Sequence, residues 1–385
     1  MIKIVTIIGA RPQIIKAAAL SRAIKNSFSD RLHEIIVHTG QHYDENMSEV
    51  FFRELGIPLP NYNLNVGSAS HGVQTARMIE GIEAILIKEK PAWLVLYGDT
   101  NSTLAGAVAA SKIHVPIAHI EAGLRSFNKA MPEEINRILC DHCSTLLFSP
   151  TETGFKNLVQ EGFNPNNHPP YIADNPGIYH CGDVMFDNSL HFAELAMKQS
   201  QVLKNNQLIA DQYILCTIHR NNNTDEPERL QQIFEALLEI VKQSGKQIAL
   251  PLHPRTAKLL KTNLSPKCYQ DVISNPLVHL MEPVSFLDMI ALEQNASHVI
   301  TDSGGVQKEA YFFQKPCIIL RPETEWKEIV EVGAAQIADA SKTKILAAWS
   351  RFVEAPPMDF PSIFGDGQAA HFIAEELIKQ SQISK

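Results

Sequence analysis

Three acidic residues carry the first hint of chemistry. Asp99 follows the apolar run 93–97, Glu121 follows the run 115–120, and Glu133 enters in Pro132-Glu133-Glu134-Ile135-Asn136-Arg137. In an open α/β sheet, ligands bind at the carboxyl ends of the strands, so these side chains are expected around one cleft. Carboxylates gathered in that way are costly unless they move protons or meet cations. Gly9-Ala10-Arg11-Pro12-Gln13-Ile14-Ile15-Lys16 sits at the first strand–helix turn, with Pro12 suited to a helix start. Arg11 and Lys16 could meet a phosphate or the carboxylates there. Two solvated cations would account for the same residues.

A second group is suited to an anion. Thr301-Asp302-Ser303-Gly304-Gly305-Val306-Gln307-Lys308-Glu309 follows a strand and opens a helix. Ser303, Gly304 and Gly305 would let backbone N–H groups approach a phosphate, with the helix dipole adding positive potential. Glu309, in the first turns of that helix, can accept from two vicinal hydroxyls such as those of a ribose. A glycine-rich turn without a ligand fits the residues too. His219-Arg220 and His253-Pro254-Arg255 end successive strands, and both could neutralise a diphosphate leaving group. Thr39-Gly40-Gln41-His42 ends an earlier strand, and reads either as a site segment or as an ordinary polar loop. Neither G-x-G-x-x-G nor a Walker pattern occurs, which argues against a dinucleotide cofactor or ATP.

The elements that must position these groups alternate. Strands are expected over 3–8, 34–38, 93–97, 115–120 and 145–149, and helices over 14–25, 44–55, 74–88 and 103–112. The Asn- and Pro-rich stretch 164–176 reads as a linker. A second series follows, with strands over 213–218, 247–252, 278–281, 298–301 and 317–320 and an amphipathic helix over 227–244. The tail 368–378 is again helical. The expected fold class is α/β, two Rossmann-like domains with a cleft between them: 1–175, and 176–365 carrying the nucleotide turn.

The totals bound the function. The chain has 385 residues, enough for two domains, and 45% hydrophobic content. A net charge of −8 argues against nucleic acid or an anionic membrane as partner. No apolar run reaches membrane-spanning length, no signal pattern opens the chain, and the six scattered cysteines suit a reducing cytoplasm. Cys140 and Cys143 form a CxxC pair without a second ligand pair at metal-binding spacing, so no metal is expected.

Together the motifs resemble the non-hydrolysing UDP-N-acetylglucosamine 2-epimerase family. The resemblance runs over nearly the whole chain, through Gly9-Ala10-Arg11-Pro12, Thr39-Gly40-Gln41-His42, Tyr97-Gly98-Asp99-Thr100, His119-Ile120-Glu121-Ala122-Gly123-Leu124-Arg125, Pro132-Glu133-Glu134-Ile135-Asn136-Arg137, Thr301-Asp302-Ser303-Gly304-Gly305 and Gly365-Asp366-Gly367-Gln368-Ala369. It implies a glycosyltransferase-B-type fold whose C-terminal helix, 366–385, completes the first domain. It implies Asp99, Glu121 and Glu133 as catalytic carboxylates, with His219 beside the phosphates. It further implies UDP contacts from Arg11, Lys16, Phe286, Ser303, Gly304, Gly305 and Glu309, with Arg321 a further cleft cation; Gln41, His42, Arg137 and His253 are the remaining candidates for substrate or phosphate contacts. No cofactor is implied, the substrate is a UDP-amino sugar, and the assembly is a homodimer. The short spacing from Glu121 to Glu133, Thr324-Glu325-Trp326, and Tyr43-Asp44-Glu45-Asn46 after His42 look more like the branch acting on UDP-2,3-diacetamido-2,3-dideoxyglucuronate, used for O-antigen-type sugars.

Overall fold

The computed structural model describes residues 1–40, 52, 56–252 and 254–383, without the side chains of 254 and 255. The chain forms two compact units, Met1–Asn188 with Ser362–Lys385, and Ser189–Pro361.

In the first unit, β1 (Ile2–Ile8), α1 (Arg11–Ala23), β2 (Leu32–His38), β3 (Tyr62–Asn63), α2 (His71–Glu89), β4 (Trp93–Tyr97), α3 (Asn101–Lys112), β5 (Ile117–Ile120), α4 (Pro132–Cys143), β6 (Leu146–Ser149), α5 (Glu152–Gln160) and β7 (Gly177–His180) alternate along the chain. Strand and helix faces meet in one apolar core that includes Val5, Val37, Met78, Leu94, Leu96 and Ala107. The sheet is parallel, ordered β3-β2-β1-β4-β5-β6-β7. Strands fed by helices on both faces need near-continuous apolar runs, and Ile4, Val5, Ile7, Ile8 and all of β4 are buried.

The helix α6 (Val184–Gln199) holds the boundary between the units. The second unit continues with β8 (Tyr213–Thr217), α7 (Pro227–Ser244), β9 (Gln247–Pro251), α8 (Pro254–Asn263), α9 (Pro266–Ser274), β10 (Val278–Met281), α10 (Phe286–Asn295), β11 (His298–Thr301), α11 (Gly304–Phe312), β12 (Cys317–Ile319), β13 (Ala335–Ile337) and α12 (Lys342–Glu354). Its parallel sheet has the order β10-β9-β8-β11-β12-β13. The heptad-like spacing of Leu230, Ile233, Leu237 and Ile240 lays α7 on this sheet, in a core with Ile214, Ile248, Leu250 and Trp349.

The boundary expected at 175/176 moves to 188/189. The cause is Gly177–His180, which adds to β6 as an edge strand, with Leu146 paired to Gly177 and Ser149 to His180. The returning segment begins at Ser362 and leads into α13 (Ala369–Ile383). The Asp187 carboxylate accepts from Ala369 N–H and Ala370 N–H, and Trp93 Nε1–H donates to Ser381 Oγ at 2.7 Å. The expected helix over 44–55 lies outside the described residues apart from position 52. Among the described residues, no helix is long and apolar enough to cross a membrane.

Candidate functional site

In each sheet the strand order reverses next to the first strand, between β1 and β4 and between β8 and β11. Loops diverge at such a point and leave room for a ligand at the carboxyl ends. Several of the singled-out residues lie near these two places, and each is described within its own unit.

In the first unit, the turn after β4 carries Gly98 at φ +61° and then Asp99. The backbone angle favours glycine, and a Cβ on Gly98 would lie 3.0 Å from Glu121 Oε2 and 3.1 Å from Lys16 Nζ, close enough to make both side-chain ends shift by a few tenths of an ångström. Lys16, carried inward by α1, pairs with Glu121. Burial works against the Lys16 charge, but Glu121 and then Asp99 outweigh it and raise the ammonium above its ordinary value. Glu121 itself adopts φ +75°. A non-glycine residue in that region carries strain, and such strain is concentrated where function fixes a side chain.

Asp99 pairs with Arg137 of α4, which also reaches Glu134 at 3.2 Å. Asn136 Nδ2–H donates to the Asp99 carbonyl at 2.9 Å. Glu133 lies exposed in the first turn of α4. Its neighbour Glu134 is buried and accepts from Ser126 N–H, Ser126 Oγ–H and Phe127 N–H. Burial opposes ionisation of Glu134, yet these donors and Arg137 hold its carboxyl below the usual range. The described contacts thus bring Asp99, Glu121, Lys16 and Arg137 together, while Arg11 starts α1 on the exposed side.

Behind these residues lies a network that sequence reasoning did not find. His119, fully buried in β5, bonds Asp141 Oδ1 through Nδ1 at 2.7 Å and the Gly98 carbonyl through Nε2 at 2.8 Å. Asp141 also accepts from Gly123 N–H at 3.1 Å and pairs with Arg125 at 2.7 Å. Burial disfavours the His119 charge, but the Cys140 sulfur and the Asp141 carboxylate raise the imidazole well above its ordinary value. Burial likewise disfavours the Asp141 charge, and His119 and Arg125 overcome it to keep the carboxyl low. This buried charge set ties the Gly98 turn to the Glu121 turn. Gln13 does the same for the first turn, accepting from Gly9 N–H and donating to the Tyr97 carbonyl. Cys140 and Cys143 are free thiols.

In the second unit, Asp302 is the organising group. It is fully buried and accepts from His219 N–H, Arg220 N–H and Asn223 Nδ2–H, and His219 Nδ1 lies 3.0 Å from Oδ1. Burial opposes its charge, but His219 and these donors hold the carboxyl below the usual carboxylate value. His219 is thereby aimed from β8 with half its side chain open to solvent. Ser303 caps α11, its Oγ accepting from Val306 N–H. A Cβ on Gly304 or Gly305 would meet nothing closer than 3.6 Å. Packing therefore does not require these glycines, whereas the approach of a ligand to bare N–H groups would.

Arg321 forms a two-pronged pair with Glu325 at 2.8 and 2.9 Å. Trp326 Nε1–H donates to the Gly304 carbonyl at 3.0 Å, and the Lys308 ammonium lies 4.3 Å from the Trp326 ring. A cavity of about 490 Å³ is lined by His219, Arg220, Asn223, Arg229 and Arg321 among others. A smaller one, about 290 Å³, is also lined by His219, together with Leu252, Pro283, Val284, Met289, Ser303 and Val306 among others. Phe286 opens α10 and packs edge-on against Phe192. Gln41, His42 and His253 lie outside the described residues.

A family model described as UDP-N-acetylglucosamine 2-epimerase matches residues 25–378. The chain is 48% identical over 377 residues to the UDP-2,3-diacetamido-2,3-dideoxy-D-glucuronate 2-epimerase of Pseudomonas aeruginosa, covering 98% of this chain and 99% of that protein. It is equally identical, 48% over 376 residues, to a UDP-N-acetylglucosamine 2-epimerase homolog of Methanococcus maripaludis, covering 97% and 99%. A crystal structure of the Methanocaldococcus jannaschii UDP-GlcNAc 2-epimerase in complex with UDP-GlcNAc and UDP superimposes with a TM-score of 0.80 at 41% identity, covering 98% of this chain and all of that one. The two α/β units accordingly fall in the glycosyltransferase-B-type class. With a family model spanning most of its length and relatives sharing nearly half its residues from end to end, this chain belongs to the UDP-N-acetylglucosamine 2-epimerase family.

Proposed function

We propose that this protein inverts C2 of a UDP-2-acetamido sugar, converting UDP-GlcNAc to UDP-ManNAc, without net hydrolysis. The observation that carries the reading is the pairing of Lys16 with Glu121 beside Asp99, at the switch point of the first sheet. The C2 hydrogen of such a sugar is not acidic by itself. As the C1–O bond to UDP breaks, positive charge builds at C1, and a carboxylate takes the C2 proton; the C–H electron pair forms the C1–C2 double bond of a bound glycal. UDP oxygen then re-adds to C1 while a second acid delivers a proton to the opposite face of C2. Inversion requires two differently placed groups, and Asp99, Glu121 and Glu133 are the candidates. The leaving diphosphate gains charge, which His219, Arg11, Arg321 and the N–H groups of the Ser303 turn would stabilise. Glu309 would accept from the ribose hydroxyls. All these roles fall to amino-acid side chains and backbone, with no cofactor in the scheme. A homodimer working in the cytoplasm belongs to the same reading.

A second substrate is favoured by a specific observation. The diacetamidoglucuronate epimerase is as identical to this chain as the UDP-GlcNAc-type relative, and Thr324-Glu325-Trp326 points the same way. Proton NMR in D2O with each UDP-sugar in a separate tube decides between them. Deuterium at C2 of a manno-configured product identifies the substrate, exchange in neither tube refutes the proposal, and free UDP accumulating at the rate of sugar turnover makes the enzyme hydrolysing.

A further inference from the structure

The pairing of β4 with β5 runs out at Tyr97 and Ile120, with one more bond from Gly98 N–H to the Ile120 carbonyl at 3.0 Å. The two carboxylates follow just beyond, on turns that leave the strands at positive φ: Gly98 at +61°, Glu121 at +75° and Gly123 at +79°. A side-chain relay joins the turns past that point. His119 Nε2 lies 2.8 Å from the Gly98 carbonyl oxygen, and Nδ1 lies 2.7 Å from Asp141 Oδ1. Asp141 Oδ2 accepts from Gly123 N–H at 3.1 Å and pairs with Arg125 at 2.7 Å. The two ends have opposite polarity: the first turn offers an acceptor, the second a donor. The relay therefore needs one group that donates twice and one that only accepts, and an imidazolium beside a carboxylate meets that need. A neutral ring has one N–H and could serve Gly98 or the Asp141 anion, not both. Gly123 is held from its other side too, with Asn157 Nδ2–H on its carbonyl at 2.9 Å. His119 and Asp141 are fully buried. Charges withdrawn from water are costly, and apolar side chains of similar volume would fill the space without that cost. Apolar packing has no direction, however, and would fix neither turn.

We propose that His119 and Asp141 are positioning residues for epimerisation: together they hold the Asp99 turn by its carbonyl and the Glu121 turn by an amide two residues on, and so set the spacing of the two carboxylates. This rests on the reading of Asp99 and Glu121 as the groups that remove and return the C2 proton. Inversion needs one group within hydrogen-bond reach of each face of C2, so a slip of one turn against the other harms inversion first. A carboxylate that has taken the proton is still placed to return it, or a deuteron from solvent, to the face it came from. UDP oxygen then re-adds to C1, and the starting sugar is regenerated carrying the label.

The experiment follows label and inversion together in D2O, with UDP-GlcNAc or UDP-2,3-diacetamido-2,3-dideoxyglucuronate, whichever wild type turns over. Proton NMR early in the reaction compares deuterium at C2 of recovered substrate with deuterium at C2 of inverted product, for wild type, His119→Gln and Asp141→Asn. Both variants should invert about 10²-fold more slowly, with the ratio of labelled substrate to labelled product raised several-fold and UDP affinity by calorimetry near that of wild type. A merely structural role lowers the amount of folded enzyme and leaves the ratio unchanged; that result, or unimpaired inversion, overturns the proposal. The ratio is read per turnover, so it holds for a variant that folds poorly. Asp99→Asn and Glu121→Gln run beside them: near-wild-type inversion in both removes the reading of the carboxylates, and the positioning role with it. If those two are inactive while the relay variants match wild type, the positioning role alone fails. A wild-type arm needs no substitution. Proton–nitrogen NMR at neutral pH should show Nδ1–H and Nε2–H of His119 both protected from exchange, and the absence of either overturns the double donation.

Discussion

Lys16 is the residue on which the first-unit site turns. An ammonium removed from water pairs with Glu121 and faces Asp99, so each charge needs the other. Its raised value means that the lysine's contribution is fully present below the ordinary lysine range, as long as Glu121 stays ionised, and is lost as pH rises through the still higher folded value. Changes in rate near neutrality therefore arise elsewhere than in its deprotonation. Lys16→Met should take a cation from beside the Glu121 carboxylate, lower stability by about 3 kcal/mol, and move the acid limb of the kcat/KM profile to higher pH, because a carboxyl that loses a neighbouring cation holds its proton longer. Denaturant unfolding and a pH–rate series check the two parts. Glu121→Gln should reduce kcat by about 10²–10⁴-fold with UDP affinity kept; a near-wild-type rate would remove Glu121 from the chemistry. The carboxylates at strand ends were legible because strand, turn and acid follow one another in sequence. Glu134 was not, since Glu133 and Glu134 are adjacent and identical in type, and only the phase of α4 against the 126–127 segment buries the second.

At the scale of elements, the turns after β4 and β5 work as a pair. A methyl group on Gly98 would press on the ends of Glu121 and Lys16, and the residue sits at positive φ. Gly98→Ala should cost about 1–2 kcal/mol in backbone strain and lower turnover by more than that strain alone implies, since the displaced atoms are Glu121 Oε2 and Lys16 Nζ. Steady-state kinetics beside thermal unfolding separates the two effects. His119 binds both turns to α4, which requires both ring nitrogens to donate, one to Asp141 and one to the Gly98 carbonyl. With its value raised, the stabilisation is complete below the ordinary histidine value and fades as pH climbs through the folded one. Ring ¹⁵N NMR should therefore find His119 doubly protonated at neutral pH, and a neutral ring there contradicts the clamp. Alternation of apolar runs and amphipathic helices made most strands readable. The edge strands β3, β7 and β13 escaped, being two to four residues long and recognisable only by their pairing partners. His119–Asp141 escaped for the same reason: a histidine within an apolar strand and an aspartate two turns into a helix carry no mutual signal in sequence.

For the whole molecule, the first unit is assembled from two distant stretches of chain, and α13 is part of its core. Ile373, Ala374, Leu377 and Ile378 are buried, and Trp93 Nε1–H bonds both the Leu377 carbonyl and Ser381. Each large apolar side chain buried is worth about 1.5–3 kcal/mol, which is a substantial part of the stability of a domain. Truncation after Phe364 should leave the first unit unfolded or aggregating while Ser189–Pro361 retains its own core, and limited proteolysis should then yield one resistant fragment in place of two. The division of the chain at α6 was beyond sequence reading, which saw a linker at 164–176 and had no means of seeing that Gly177–His180 returns to the sheet. The same division sets the order of events on the ribosome. Synthesis reaches Pro361 with the second unit entire, whereas the first, begun earlier, still lacks a helix it packs around. The half that starts last is able to finish first, and the half carrying the carboxylates stays exposed to chaperones and proteases until the final helix emerges.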